Sequence, residues 1–161
     1  MTGIYLSLGS NVGERAENIA QAIATLARFG VRAVKRSELY ETEPVEFLAQ
    51  DWFLNCAAEV ETELAPAELM RALLEIERSM GRERVLPKGP RIIDMDILLY
   101  GLRVVREADL EIPHPRMADR RFVLVPLAEI APRVVHPVLK KTIAELLAET
   151  SDRSEVRPWR S

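Results

Sequence analysis

The chain has 161 residues, a net charge of −3, 48% hydrophobic and 29% charged residues, and a single cysteine. That length suits one domain with one substantial core, and the slightly acidic balance excludes the global basic field that drives nonspecific nucleic-acid binding. The lone Cys56 excludes an intrachain disulfide and, without a Cys/His cluster, argues against structural zinc; in its apolar run it reads as a small buried hydrophobe.

The N-terminus shows no charged-then-apolar leader, and no apolar run approaches the ~20 residues of a membrane span, so a cytoplasmic location is expected. Residues 3–8 set Ile4, Leu6 and Leu8 against Tyr5 and Ser7, the alternation of a strand. Gly9-Ser10-Asn11 breaks it. A helix is expected next, with Ile19, Ala22, Ile23, Leu26 and Ala27 on one face, Asn11 and Glu14 as a capping box, and Gly30 at the far end. Residues 31–40 read as a second strand, 41–51 as a long loop around Pro44, and 52–61 as a third strand. Pro66 opens a second helix with the apolar stripe Leu69, Leu73, Ile76 and Met80, and Gly81 ends it. A charged loop, 82–88, leads into a fourth strand. Residues 102–110 suit a small hairpin, Ile112-Pro113-His114-Pro115 is rigid and irregular, and 120–131 and 141–149 suit helices before a polar tail.

The fourth strand holds the most informative residues. Asp94 and Asp96 alternate with apolar Ile93, Met95, Ile97 and Leu99, so the carboxylates share one strand face with Cα atoms roughly 6.6 Å apart. Two unpaired carboxylates there would cost several kcal/mol each, so positive charge must face them. An all-oxygen pair suits a hard divalent cation, most simply Mg²⁺. An Asp-x-Asp on an edge strand also serves as a solvated face or a guard against aggregation. The nearby Arg82, Arg84 and Arg91 favour a site for Mg²⁺ and a polyphosphate.

The order strand, helix, strand, strand, helix, strand is the α+β, ferredoxin-like βαββαβ plan, with helices on one face of an antiparallel sheet, a C-terminal hairpin and short helices. The other face would be free for a ligand, with Asp94 and Asp96 pointing to it. One domain covers 1–161, its core about 3–137 and its C-terminal helix and tail 138–161.

Several motifs taken together resemble one family. Gly89-Pro90-Arg91-x-x-Asp94-x-Asp96-Ile97-Leu98 reproduces the signature of the 6-hydroxymethyl-7,8-dihydropterin pyrophosphokinases of folate biosynthesis. Leu8-Gly9-Ser10-Asn11, Tyr40-x-Thr42-x-Pro44, Phe53-Leu54-Asn55, Ile76-Glu77, Gly81-Arg82, Pro113-His114 and Arg120-x-Phe122-Val123-Leu124-x-Pro126-Leu127 follow in the family's order. The resemblance implies transfer of pyrophosphate from ATP to a pterin hydroxymethyl group, giving AMP and the pterin diphosphate. It implies two Mg²⁺ ions, each touched by both Asp94 and Asp96, with ATP as co-substrate. Arg82 and Arg91 match the family's catalytic arginines and Arg84 another arginine of the same loop. His114 and Arg120 match residues that hold nucleotide phosphates, and Ile97 and Glu77 fall on the nucleotide side, Glu77 as a supporting residue or a solvated charge. On the pterin side, Phe53 and Phe122 match the two stacking aromatics and Asn55 the amide that reads the ring edge. Thr42, Pro44 and Val45 belong to the adjoining loop, and Asp94 also borders the pterin. The implied protein is a cytoplasmic monomer whose partners are small molecules, not nucleic acid or membrane.

The pattern departs from well-known members at Lys88, Leu74, Asp109 and Pro115, and in a shorter 82–88 loop, which bears on nucleotide affinity and loop closure. Gly9-Ser10-Asn11-Val12-Gly13 lacks the Gly-Lys-Ser/Thr ending of a P-loop and reads as a turn, with a pterin-side role open to Gly9 and Asn11. Two other classes fit less well. A hydrolase using Asp94 and Asp96 as acid and base would want one raised pKa, and neighbouring arginines lower both. An RNA-binding module would show an RNP-type aromatic segment and a basic surface.

Overall fold

β1 (Ile4–Ser10) is buried along its whole length and lies inside the sheet, with a strand paired on each side. The computed structural model describes residues 3–44, 50–81 and 92–160. β1 pairs antiparallel with β4 (Phe53–Thr62) on one side and β5 (Asp94–Tyr100) on the other. The ten residues of β4 are long enough to carry two further strands end to end. β2 (Val31–Arg36) pairs with its C-terminal half and β3 (Tyr40–Thr42) with Phe53, Leu54 and Asn55. The β5-β1-β4-β2/β3 arrangement is the expected ferredoxin-like order.

The single strand expected at 31–40 is therefore two. Ser37 sits at the break and satisfies Ala57 from both sides: its N–H donates to the Ala57 carbonyl (2.9 Å) and its hydroxyl accepts from the Ala57 N–H (3.0 Å). The ladder is kept while the strand bends.

α1 (Arg15–Leu26) and α2 (Pro66–Ser79) cover one face, over Ile4, Leu6, Leu8, Leu54, Cys56, Met95 and Ile97. Gly81, at φ +82°, supplies the left-handed residue that ends α2's turn. Burial pushes the Cys56 thiol up to about 12, in keeping with an inert core residue. The capping box expected at Asn11 and Glu14 does not form. Glu14 is the N-cap of α1 without a side-chain bond, and Asn11 reaches instead to Gln50 and the Asp51 carbonyl.

The opposite face is not left wholly open. α3 (Arg121–Ile130) and α4 (Ile143–Glu149) cover one end of it, with Val123, Leu124, Leu127 and Ile130 packed on Tyr5, Ala57, Leu98 and Leu99. Each such side chain contributes about 1.5–3 kcal/mol of burial. Only the far end of this face, where the side chains turn polar, remains for a ligand. The hairpin expected near 102–110 is β6 (Val105–Glu107) and β7 (Leu110–Ile112). The tail is more than a polar end: β8 (Val156–Pro158) joins the sheet beside β3. Among the described residues, no helix is long and apolar enough to cross a membrane.

Candidate active site

Directly paired residues on antiparallel strands point to the same face. Asp96 pairs with Ser7, which pairs with Ala57; Asp94 pairs with Gly9, which pairs with Asn55, which pairs with Tyr40; Phe53 pairs with Thr42. Asp94, Asp96, Ser7, Gly9, Asn55, Thr42 and Phe53 thus form one polar patch at the end of the sheet that α3 leaves uncovered. Both aspartates are half-buried.

The alternation in β5 does not run to its end. The register with β1 shifts between Tyr5 and Leu6, so Leu98 is the extra residue of a bulge. Leu98 and Leu99 both join the cluster under α3, whereas Met95, Ile97 and Tyr100 face α1 and α2. One expectation changes: Leu99 does not share a core with Ile97. The Ile97 side chain, 2% exposed, lies on the face away from the aspartates, as the alternation predicts. The bulge leaves the Leu98 carbonyl to accept from the His114 N–H at 2.9 Å, which seats His114 beside β5.

Glu77, on α2, is 2% exposed, so it is not a solvated charge. Its Oε2 accepts from the Met95 N–H at 2.7 Å. Met95 lies between Asp94 and Asp96, so Glu77 fixes the backbone that carries both carboxylates.

On the other side of the patch, Asn55 is 4% exposed and its Nδ2 donates to Thr42 Oγ1 at 2.6 Å. This orients the amide. Gly9 lets Asn55 in: a methyl group at Gly9 would run into Asn55 Oδ1. Phe53 is half-buried at the start of β4. Phe122, also half-buried, lies in the first turn of α3, and the Arg120 guanidinium stands 5.6 Å from its ring centroid. Pro44 is buried beside Thr42.

His114 Nδ1 accepts from the Arg116 N–H at 3.1 Å, so the proton of the neutral ring sits on Nε2. Burial and the charge of Arg120, with a smaller push from Arg116, hold its pKa down to about 4 against the opposing pull of Asp94. His114, Arg120 and Asp94 are thereby neighbours, joining the candidate phosphate side to the carboxylate pair.

Arg82, Arg84, Lys88, Arg91 and Val45 lie outside the described residues. Among those described, no group of three or more His, Cys, Asp or Glu residues could hold a metal ion. Mg²⁺ is commonly bound by one or two carboxylates, with substrate phosphates and water completing the octahedron. Asp94 and Asp96 are such a pair, and hard oxygen donors are the right chemistry.

The profile of the 7,8-dihydro-6-hydroxymethylpterin-pyrophosphokinase (HPPK) family matches residues 5–132. The chain belongs to this family. It is 46% identical over 150 residues to the 2-amino-4-hydroxy-6-hydroxymethyldihydropteridine pyrophosphokinase of Methylorubrum extorquens, covering 92% of this chain and 94% of that protein. It is 41% identical over 155 residues to the folic acid synthesis protein fol1 of Pneumocystis carinii, covering 96% of this chain but only 21% of that one. The chain thus spans about a fifth of the length of that curated relative. A crystal structure of wild-type Plasmodium falciparum HPPK-DHPS with pterin and p-hydroxybenzoate shares the fold, with a TM-score of 0.72 at 19% identity over 92% of this chain and 43% of that one.

The family expected from the motifs is the family found. Sequence reasoning missed the anchoring of β5 by Glu77 and the part taken by the C-terminal segment. A carboxylate on the edge of an apolar helix stripe was the available signal for Glu77; the tail offered no periodicity to read.

Proposed function

We propose that this chain carries out the HPPK reaction: ATP and 6-hydroxymethyl-7,8-dihydropterin give AMP and the pterin diphosphate, as a step in folate biosynthesis. The observation that carries this reading is the polar patch, which sets the Asp94/Asp96 pair on the same face as the hydrogen-bonded Asn55–Thr42 pair and Phe53.

In this reading the pterin ring lies between Phe53 and Phe122, with Asn55 donating and accepting along its amide edge. Thr42, Pro44 and Val45 wall it, and Asp94 faces its hydroxymethyl arm. The hydroxyl oxygen forms a bond to the β-phosphorus of ATP while the bond from that phosphorus to the oxygen bridging it to the α-phosphate breaks. AMP leaves with that bonding pair, and the hydroxyl proton is released. Such chemistry is mostly positioning and charge neutralisation. Asp94 and Asp96 would hold two Mg²⁺ ions, which when bound acidify the hydroxyl and neutralise phosphate oxygens. Arg82 and Arg91, with Arg84, neutralise charge as AMP departs. His114, through its Nε2–H, and Arg120 bind phosphate oxygens, Glu77 supports them through β5, and Ile97 contributes its backbone to the nucleotide side. The enzyme works as one cytoplasmic domain and a monomer.

The product identifies the reaction. AMP is expected from ATP only when the hydroxymethyl pterin is added, and Asp94→Ala or Asp96→Ala should reduce its formation by at least ~10²-fold. ADP as product would mean an ordinary kinase, and undiminished AMP formation in either variant would remove the carboxylate pair from the chemistry.

A further inference from the structure

The family match stops at residue 132, yet the segment from 150 onward is tied to both sides of the candidate pterin site. At one end it meets α3. Arg120, the N-cap residue, makes no side-chain cap, and Asp152 takes over: its Oδ2 accepts from the Arg121 N–H at 2.8 Å and its Oδ1 from the Ser154 N–H at 2.9 Å. The Arg121 guanidinium returns to the Ser154 carbonyl at 2.7 Å. The next residue along the helix is Phe122.

At the other end the segment becomes β8. Val156 pairs with Thr42, Arg157 with Glu41 and Pro158 with Tyr40. The Glu43 N–H donates to the Glu155 carbonyl at 3.1 Å, the Glu155 N–H to the Glu43 carboxylate at 2.7 Å, and the Trp159 N–H to the Leu39 carbonyl at 3.0 Å. Arg157 stands 4.6 Å from the Trp52 ring centroid and pairs with Glu41 at 3.0 Å. Arg15 completes the clamp, pairing with Glu41 at 3.0 Å and donating to the Trp52 carbonyl at 2.9 Å. The residue after Trp52 is Phe53.

We infer that residues 152–157 form a strut that sets the gap between Phe53 and Phe122, with Asp152 and Arg157 as its positioning residues for the pterin. The strut spans so few residues, at ~3.3–3.6 Å each when extended, that its two anchorages cannot drift apart independently. A flat ring held between two aromatics is sensitive to their separation, since an error of about 1 Å can cost ~10²-fold in rate. The inference rests on the pterin lying between those rings.

Its test uses the full-length chain with Asp152→Ala, Arg157→Leu and both together. Pterin KM, ATP KM, kcat and thermal midpoint are measured, with pterin affinity titrated in Mg²⁺ and a nonhydrolysable ATP analogue. The double variant is expected to raise pterin KM and Kd about tenfold while ATP KM stays within about twofold, and Arg157→Lys should restore most of the loss. Arg157 is exposed, so its single variant keeps the question open to an answer if Asp152→Ala fails to fold. Unchanged pterin KM in the folded variants, or pterin and ATP KM rising together as the midpoint falls, would overturn the strut. Phe53→Ala and Phe122→Ala are the separate control. If pterin still binds without either ring, the stacking site itself is wrong; if they abolish binding while the strut variants bind normally, only the strut is wrong.

Discussion

His114 shows how single residues acquire their state here from several neighbours at once. Its backbone is held by the β5 bulge, its Nδ1 by the Arg116 N–H, and its charge is suppressed by burial and by Arg120. A histidine with a folded pKa of about 4 and an ordinary value of 6.5 binds its proton more readily when the chain is unfolded. Its contribution is therefore complete above pH 6.5 and is lost as pH falls from 6.5 toward 4. Thermal midpoints followed across that window should decline in the wild type and decline less in His114→Gln; parallel curves would show that His114 does not carry the effect. His136, whose pKa burial also lowers, stays in both proteins and cancels from the comparison. At this scale Asp94 and Asp96 were legible because a period of two puts them on one face whatever the rest of the fold does. The roles of Gly9 and Glu77 were not, since each depends on an atom far away in sequence: the Asn55 amide oxygen for one, the Met95 N–H for the other.

β5 stands at the edge of the sheet, bonded to β1 on one side, and its further backbone groups need partners from outside the ladder. Glu77 takes the Met95 N–H and His114 donates to the Leu98 carbonyl. Glu77→Ala would leave a buried N–H without its acceptor and a space behind the strand, which together cost about 2–4 kcal/mol. Urea unfolding should show that loss, and Glu77→Gln, which keeps an acceptor oxygen, should lose clearly less; equal losses would mean the carboxylate charge, not the bond, is what matters. The elements that sequence reasoning placed well are those with their own periodicity, such as α2 with Leu69, Leu73 and Ile76. The breaks came from long-range bonds. Ser37 splits one strand into two through Ala57, and Leu98 bulges to join the core under α3. β8 is three residues with a proline, ordered by β3 and without a pattern of its own.

Charge at the scale of the whole molecule opposes the proposed substrate, since the net −3 repels a polyphosphate. The sequence compensates locally. Between residues 82 and 91 stand Arg82, Arg84, Lys88 and Arg91 against Glu83 alone, and Arg116 and Arg120 lie near His114 on the described side of the site. ATP affinity should then depend on screening, whereas the uncharged pterin, held by stacking and hydrogen bonds, should not. The Debye length shortens from ~10 Å at 0.1 M salt to ~3 Å at 1 M. At saturating Mg²⁺, raising monovalent salt from about 50 to 500 mM is expected to increase ATP KM several-fold and to leave pterin KM within about twofold. Initial rates with each substrate varied in turn give both numbers. The contrast between substrates matters more than either value, because salt acting on stability or on the strut would move pterin KM as well. An ATP KM indifferent to salt would take the 82–91 cations out of the phosphate site and leave the metal ions and Arg120 to neutralise it, with the neutral His114 only donating a hydrogen bond.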